Sequence, residues 1–306
     1  MRNVACIIWL FFAAFIADAQ NVVDQEAIRQ IVEHQQGDIS SVQKVSWQCY
    51  TFKCDGKRRN KQEIELFQQH LDSITGAYEP EQKMQIVELA NRQRLNALDK
   101  QMELWVPTSF PRDYRAYSPY PYFYSTAAAM PKLFVIDKYT QTFGAYEYGK
   151  LVHWGLLSTG RHNDATPPGR YNFNWKTYFK LSNAAPEGEE WRLFWVFNFY
   201  AKIGIHVHQY RLPINVPASH GCVRTARPDA EWNYNWANGW LKDTRGKLIR
   251  NGTPVMVIRE NPPAYAAHWE FQPAGEARSL VKLPEDFEQI RLGSAEQREA
   301  PWASGW

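Results

Sequence analysis

The stretch IGIHVHQYRLPINVPASHGCVRT (203–225) joins an alternating apolar segment to a cysteine placed directly after a His-Gly pair. Successive side chains of a strand point to opposite faces, so Ile203, Ile205 and Val207 are expected on the core side. Gly204, His206 and His208 then share the other face, where the glycine leaves room for a substrate or another backbone. His220 and Cys222 follow within twenty residues. Two chemistries fit these residue types. In one, Cys222 is a nucleophile whose thiol pKa, about 8.5 when free, is lowered by a neighbouring imidazolium. The backbone amides around Gly221 and Cys222 would then receive an oxyanion. In the other, His206, His208, His220 and Cys222 ligate zinc. The thiolate reading is favoured.

The flanking sequence places this segment in a β-rich domain. KLFVID, QTFGAYEY, KLVHWGLLST, GRYNFNW, WRLFWVFNFY and NGTPVMVI are β-branched and aromatic runs punctuated by Gly, Asn, Asp or Pro, and read as strands between 132 and 260. YEYGKLV predicts a hairpin with Gly149 in its turn. RPDAEWNYNW (227–236) predicts a helix with Pro228 in its first turn. Trp232, Trp236 and Trp240 recur at helical spacing, which favours packing over ligand stacking. Residues 20–105 carry apolar positions three and four apart and predict an α-helical N-terminal region. Residues 106–131, rich in proline and aromatics, read as an extended connector, and 261–306 as a loosely packed tail.

The first nineteen residues have the form of a signal peptide: a basic start, an apolar run from Val4 to Ile16, and Ala17-Asp18-Ala19 as a cleavage site. Export to the periplasm or cell wall is therefore expected, with an uncleaved anchor as the alternative. Removal of Cys6 would leave three thiols. Cys49 and Cys54 are close enough in sequence to form a local disulfide if the chain turns, which leaves Cys222 unbridged in an oxidising compartment. The net charge of +3 over 306 residues comes from scattered basic groups rather than a stripe, which argues against nucleic acid.

SHGCVR, the upstream GIH strand and TPPGRY (166–171) together resemble the L,D-transpeptidase family, whose catalytic domain is called YkuD. The likeness runs from Lys132 to Ile258. It implies a mostly β, sandwich-like catalytic domain that needs no cofactor or metal and acts on peptidoglycan stem peptides, with a tetrapeptide donor, an amine acceptor and carbapenem-type β-lactams as inhibitors. By position in the motif, Cys222 falls on the nucleophile and His206 on the general base. The carbonyl of Val207 falls where the family orients that base. Ser219, His220, Gly221 and Arg224 fall on the remaining motif positions, Gly221 in the oxyanion turn and Arg224 as a scaffold or substrate-carboxylate residue. Val207-His208 stands where the family often has Gly-Thr, so His208 is either an additional site residue or, with a shifted register, the base itself. His206 is favoured. A hydrolase on the same fold (carboxypeptidase or endopeptidase), the zinc site and a non-catalytic wall-binding module are the alternatives.

Overall fold

The computed structural model describes residues 22–262 and 281–293; the expected signal peptide and the rest of the tail lie outside them. Nine strands form one mixed sheet. They are β3 (Leu133–Asp137), β4 (Thr142–Glu147), β5 (Lys150–Ser158), β6 (Gly169–Asn172), β7 (Trp175–Leu181), β8 (Arg192–Tyr200), β9 (Ile205–Gln209), β10 (Val223–Thr225) and β13 (Pro254–Ile258). Their spatial order is β6-β13-β3-β4-β5-β10-β9-β8-β7. β13 with β3 and β9 with β10 are parallel pairs, and the other neighbours are antiparallel. β11 (Leu241–Lys242) and β12 (Leu248–Arg250) make a separate small hairpin. The expected β4–β5 turn is present, with Tyr148 and Gly149 both at positive φ (48° and 73°), as a two-residue turn matched to strand twist requires.

Alternation along the strands assigns the two faces. Phe134 and Ile136 of β3 point one way and Leu133 and Val135 the other, and all four are buried. The inner face gathers Phe134, Phe143, Tyr171, Phe173, Phe197, Phe199, Val207 and Val223 into one cluster. Ring contacts of Tyr171 with Phe199 (5.3 Å) and of Phe173, which follows β6, with Phe197 (4.4 Å) join the β6 edge to β8, next to the opposite edge. The sheet therefore rolls onto itself and makes the expected sandwich-like core. Each such fully buried aromatic contributes about 1.5–3 kcal/mol relative to exposure. α4 (Arg227–Trp236) carries Trp232 and Trp236, which are partly buried against this cluster, consistent with packing.

The outer face is covered by the N-terminal residues, which are less helical than their periodicity predicts. Three helices, α1 (Arg29–Val32), α2 (Lys57–Asp72) and α3 (Pro80–Asn91), accompany an antiparallel pair, β1 (Trp47–Asp55) with β2 (Lys100–Pro107). Residues 106–131 are deeply buried in part, although Phe123 is exposed. Tyr114, Tyr117 and Tyr120 are wholly buried, Tyr114 stacks on Trp154 at 4.6 Å, and a Cβ on Gly144 would lie 2.9 Å from the Tyr120 ring. Residues 281–293 also differ from the expected loose tail. Val281 N–H donates to the Pro119 carbonyl, Tyr124 Oη donates to the Pro284 carbonyl, and Arg170 holds Glu288 through two bonds of 2.8 and 3.1 Å.

Cys49 and Cys54 are free thiols, which overturns the expected disulfide. Both lie in β1, where an odd separation sends them to opposite faces. An extended run of five residues spans about 16 Å, whereas a disulfide needs Cα atoms within about 7 Å. Cys49 is exposed and donates to Glu103 Oε2, while Cys54 is buried and donates to the Leu98 carbonyl.

Candidate active site

The register of four strands builds a transverse row. Trp175 of β7 pairs with Asn198 of β8, and Asn198 pairs with His206 of β9. β9 runs parallel to β10 with Val207 opposite Val223, so Cys222, one residue earlier, lies alongside His206. Paired positions project to the same face, at a strand spacing of about 4.8 Å. Cys222 is thus on the imidazole face, whereas Val207 and Val223 enter the core. The Trp175 ring meets His206 edge-on at 5.1 Å. Asn198 Nδ2 donates to His206 Nδ1 and to the Ile205 carbonyl, each at 3.0 Å. Asn198, a polar residue within an aromatic run, was not singled out from sequence, although that contrast marks it.

The turn carrying Cys222 is fastened to the end of β5. Thr166 Oγ1 accepts from Gly160 N–H at 2.9 Å and donates to the Gly221 carbonyl at 2.8 Å. Ser219 Oγ accepts from Gly221 N–H at 3.1 Å and donates to the Cys222 carbonyl. Arg161 N–H reaches the Ser219 carbonyl. Gly221 adopts φ 109°, which a side chain rarely tolerates. TPPG and SHGC therefore form one hydrogen-bonded unit. Because Gly221 N–H is engaged by Ser219, Cys222 N–H is the better-placed amide of the turn to meet a developing oxyanion.

The model of the L,D-transpeptidase catalytic domain matches residues 131–257.

No curated protein matches the chain. Among solved structures, an L,D-transpeptidase from Stackebrandtia nassauensis is 24% identical over 43% of this chain and 57% of its own, with a TM-score of 0.34. One from Mycobacterium smegmatis is 18% identical over 53% and 75%, with a TM-score of 0.35. L,D-transpeptidase 3 from Mycobacterium tuberculosis, in complex with a faropenem-derived adduct, is 21% identical over 53% and 75%, with a TM-score of 0.34. The chain thus spans little more than half the length of the first of these.

Electrostatics at Cys222 and His206 differ from the expected ion pair. Burial pushes His206 down to about 3, assisted by repulsion from His208 when that ring is protonated and from the Lys180 ammonium. Burial also raises the Cys222 thiol, although the His206 backbone amide, Arg224 and Lys180 act in the opposite direction. A site that desolvates both groups disfavours both charges. The resting pair is therefore neutral thiol and neutral imidazole. Cys222 is partly exposed, and its Sγ lies 3.8 Å from the Gly204 carbonyl. Among the described residues no hydrogen bond joins it to either imidazole.

The remaining expected residues divide. His208 is buried beside Arg224, its Nδ1–H donates to the Gln209 carbonyl at 2.9 Å, and burial holds it at about 4. The Arg224 guanidinium lies 4.9 Å from the Tyr210 ring centre. His220 is exposed and packs on Trp191 at 5.1 Å. His206 Nδ1 bonds to Asn198 rather than to the Val207 carbonyl. Ile203 is exposed and precedes β9, because Gly204, at φ 70°, closes a turn there. Among the described residues no three His, Cys, Asp or Glu side chains converge as a metal would need, so the four zinc candidates are not brought together. Cavities of about 830 Å³ beside Trp47 and Tyr122, and about 570 Å³ beside His153 and Trp232, lie apart from Cys222.

Proposed function

We propose that the protein is a cysteine acyltransferase that joins peptidoglycan stem peptides. The observation that carries this reading is the registered pair of Cys222 and His206 on one face of the sheet, with the Gly221 turn beside them. Cys222 Sγ attacks the carbonyl preceding the terminal D-residue of a tetrapeptide donor as His206 removes the thiol proton. The tetrahedral oxyanion is received by the Cys222 amide. Collapse expels the D-residue as an amine protonated by His206, leaving a thioester. An amine of a second stem then attacks that thioester, giving up its proton to His206, and the restored thiol leaves a cross-linked product. Proton transfer by a positioned imidazole contributes about 10²–10⁴-fold.

Buried, neutral partners suit this route because charge develops only during attack. Arg224, near the row, supplies a planar pair of donors suited to a substrate carboxylate. Solved L,D-transpeptidases in complex with imipenem and with a faropenem-derived adduct support β-lactams, carbapenems included, as inhibitors. Export to the periplasm or cell wall would bring the enzyme to its substrate.

Incubation with a defined tetrapeptide stem and analysis of products tests the proposal. Release of the terminal D-residue with formation of a cross-linked dimer is expected, and loss of both in Cys222→Ala. Shortened monomer without dimer would assign hydrolysis instead, and unchanged substrate would exclude both.

A further inference from the structure

A carbonyl oxygen can only accept a hydrogen bond. The 3.0 Å contact between Asn198 and the Ile205 carbonyl therefore fixes which end of the amide is nitrogen. That same nitrogen lies 3.0 Å from His206 Nδ1, so Nδ1 must be the acceptor. Neutral His206 then carries its proton on Nε2. The orientation has a cost: Asn198 Oδ1 is buried without a partner, although a half-turn of the amide would present it to the ring. An orphaned buried acceptor costs about 1–3 kcal/mol. The donation to Ile205 outweighs it in the resting protein.

From this geometry we infer that Asn198 is a positioning residue that latches His206 in the Nε2–H tautomer and that must rotate before His206 can act as a base. The inference rests on Cys222 and His206 being the reacting pair. In the resting orientation the one lone pair of the neutral ring is occupied, and an added proton on Nδ1 would face the N–H of Asn198. After a half-turn, the ring releases its Nε2 proton to water and takes one from water at Nδ1, Oδ1 accepts from the new Nδ1–H, and the lone pair is left on Nε2. The charged and titratable groups around the ring are Lys180 from β7, His208 from β9, and Cys222 and Arg224 from β10. None of them supplies an acceptor that would favour Nδ1–H in place of Asn198.

Nitrogen-15 NMR of the histidine rings tests the latch without reference to activity. In the full-length wild-type protein at pH 7, His206 should show the Nε2–H pattern, with Nδ1 shifted as an unprotonated nitrogen. Asn198→Asp places a permanent acceptor at Nδ1. It should convert the ring to Nδ1–H and move the acid limb of Cys222 acylation by a β-lactam upward by at least one pH unit. Asn198→Ala should give a mixture of tautomers. A wild-type ring protonated on Nδ1 overturns the inference even if neither variant folds, as does an Asn198→Asp protein whose tautomer and pH limb are unchanged. Failure of wild-type acylation with the Nε2–H ring present would refute the proposed function and leave the tautomer assignment standing.

Discussion

Two imidazoles buried without charge make the protein sensitive to mild acid, and His208 isolates the effect. An ordinary imidazole titrates near 6.5, whereas burial holds folded His208 at about 4. Between those values the unfolded chain binds a proton that the folded chain refuses. The contribution is fully present above pH 6.5 and is lost as pH falls toward 4. At pH 5 the separation is about 1.5 pH units, or about 2 kcal/mol at 1.36 kcal/mol per unit. His206 adds a loss of similar size, so about 4 kcal/mol is at stake in a fold typically stable by 5–15 kcal/mol. Carboxylates contribute their own slope, so the comparison is between wild type and His208→Gln, which retains a donor for the Gln209 carbonyl. Urea unfolding at pH 7 and pH 5 should show wild type losing about 2 kcal/mol more than the variant. Equal losses would refute the argument that His208 is buried uncharged.

Other consequences follow from the same geometry. The acid limb of Cys222 acylation should lie below pH 5, because free-enzyme His206 titrates near 3; a limb at 6.5 would indicate a solvated ring. Thr166→Val strands the Gly160 N–H and Gly221 carbonyl, at about 1–3 kcal/mol for each buried group, and should lower both the urea midpoint and the acylation rate. A stability change under about 0.5 kcal/mol would show that the hydroxyl is not a strut. In unreduced protein both Cys49 and Cys54 should be recovered as thiols, Cys54 alkylating only on unfolding; a mass two hydrogens lighter, mapped to this pair, would contradict the β1 geometry.

The β domain was legible because its strands are locally consistent. β3, β4, β5, β8 and β13 fall within runs of β-branched and aromatic residues bounded by turn formers. The Cys222–His206 pairing was legible as a motif, but their shared face depends on a parallel register that spacing alone does not give. The β1–β2 pair was missed because KQMELW is built largely from good helix formers, and its partner strand lies some fifty residues away. That misreading carried the disulfide with it: a turn between Cys49 and Cys54 brings them together, whereas a strand separates them. The tyrosines of 114–124 carry no period because tertiary packing on the outer face of the sheet, rather than local structure, buries them. His220 matched its motif position, yet its ring turns to Trp191, and Asn198 occupies the place beside His206.

The most direct measurement is intact-mass spectrometry after incubation with a carbapenem and, separately, with a tetrapeptide stem, followed by peptide mapping. One equivalent of acyl adduct on the peptide bearing Cys222, absent from Cys222→Ala, is the predicted result. An unmodified protein, or an adduct on Cys49 or another residue with Cys222 untouched, would contradict the assignment of this thiol as the nucleophile.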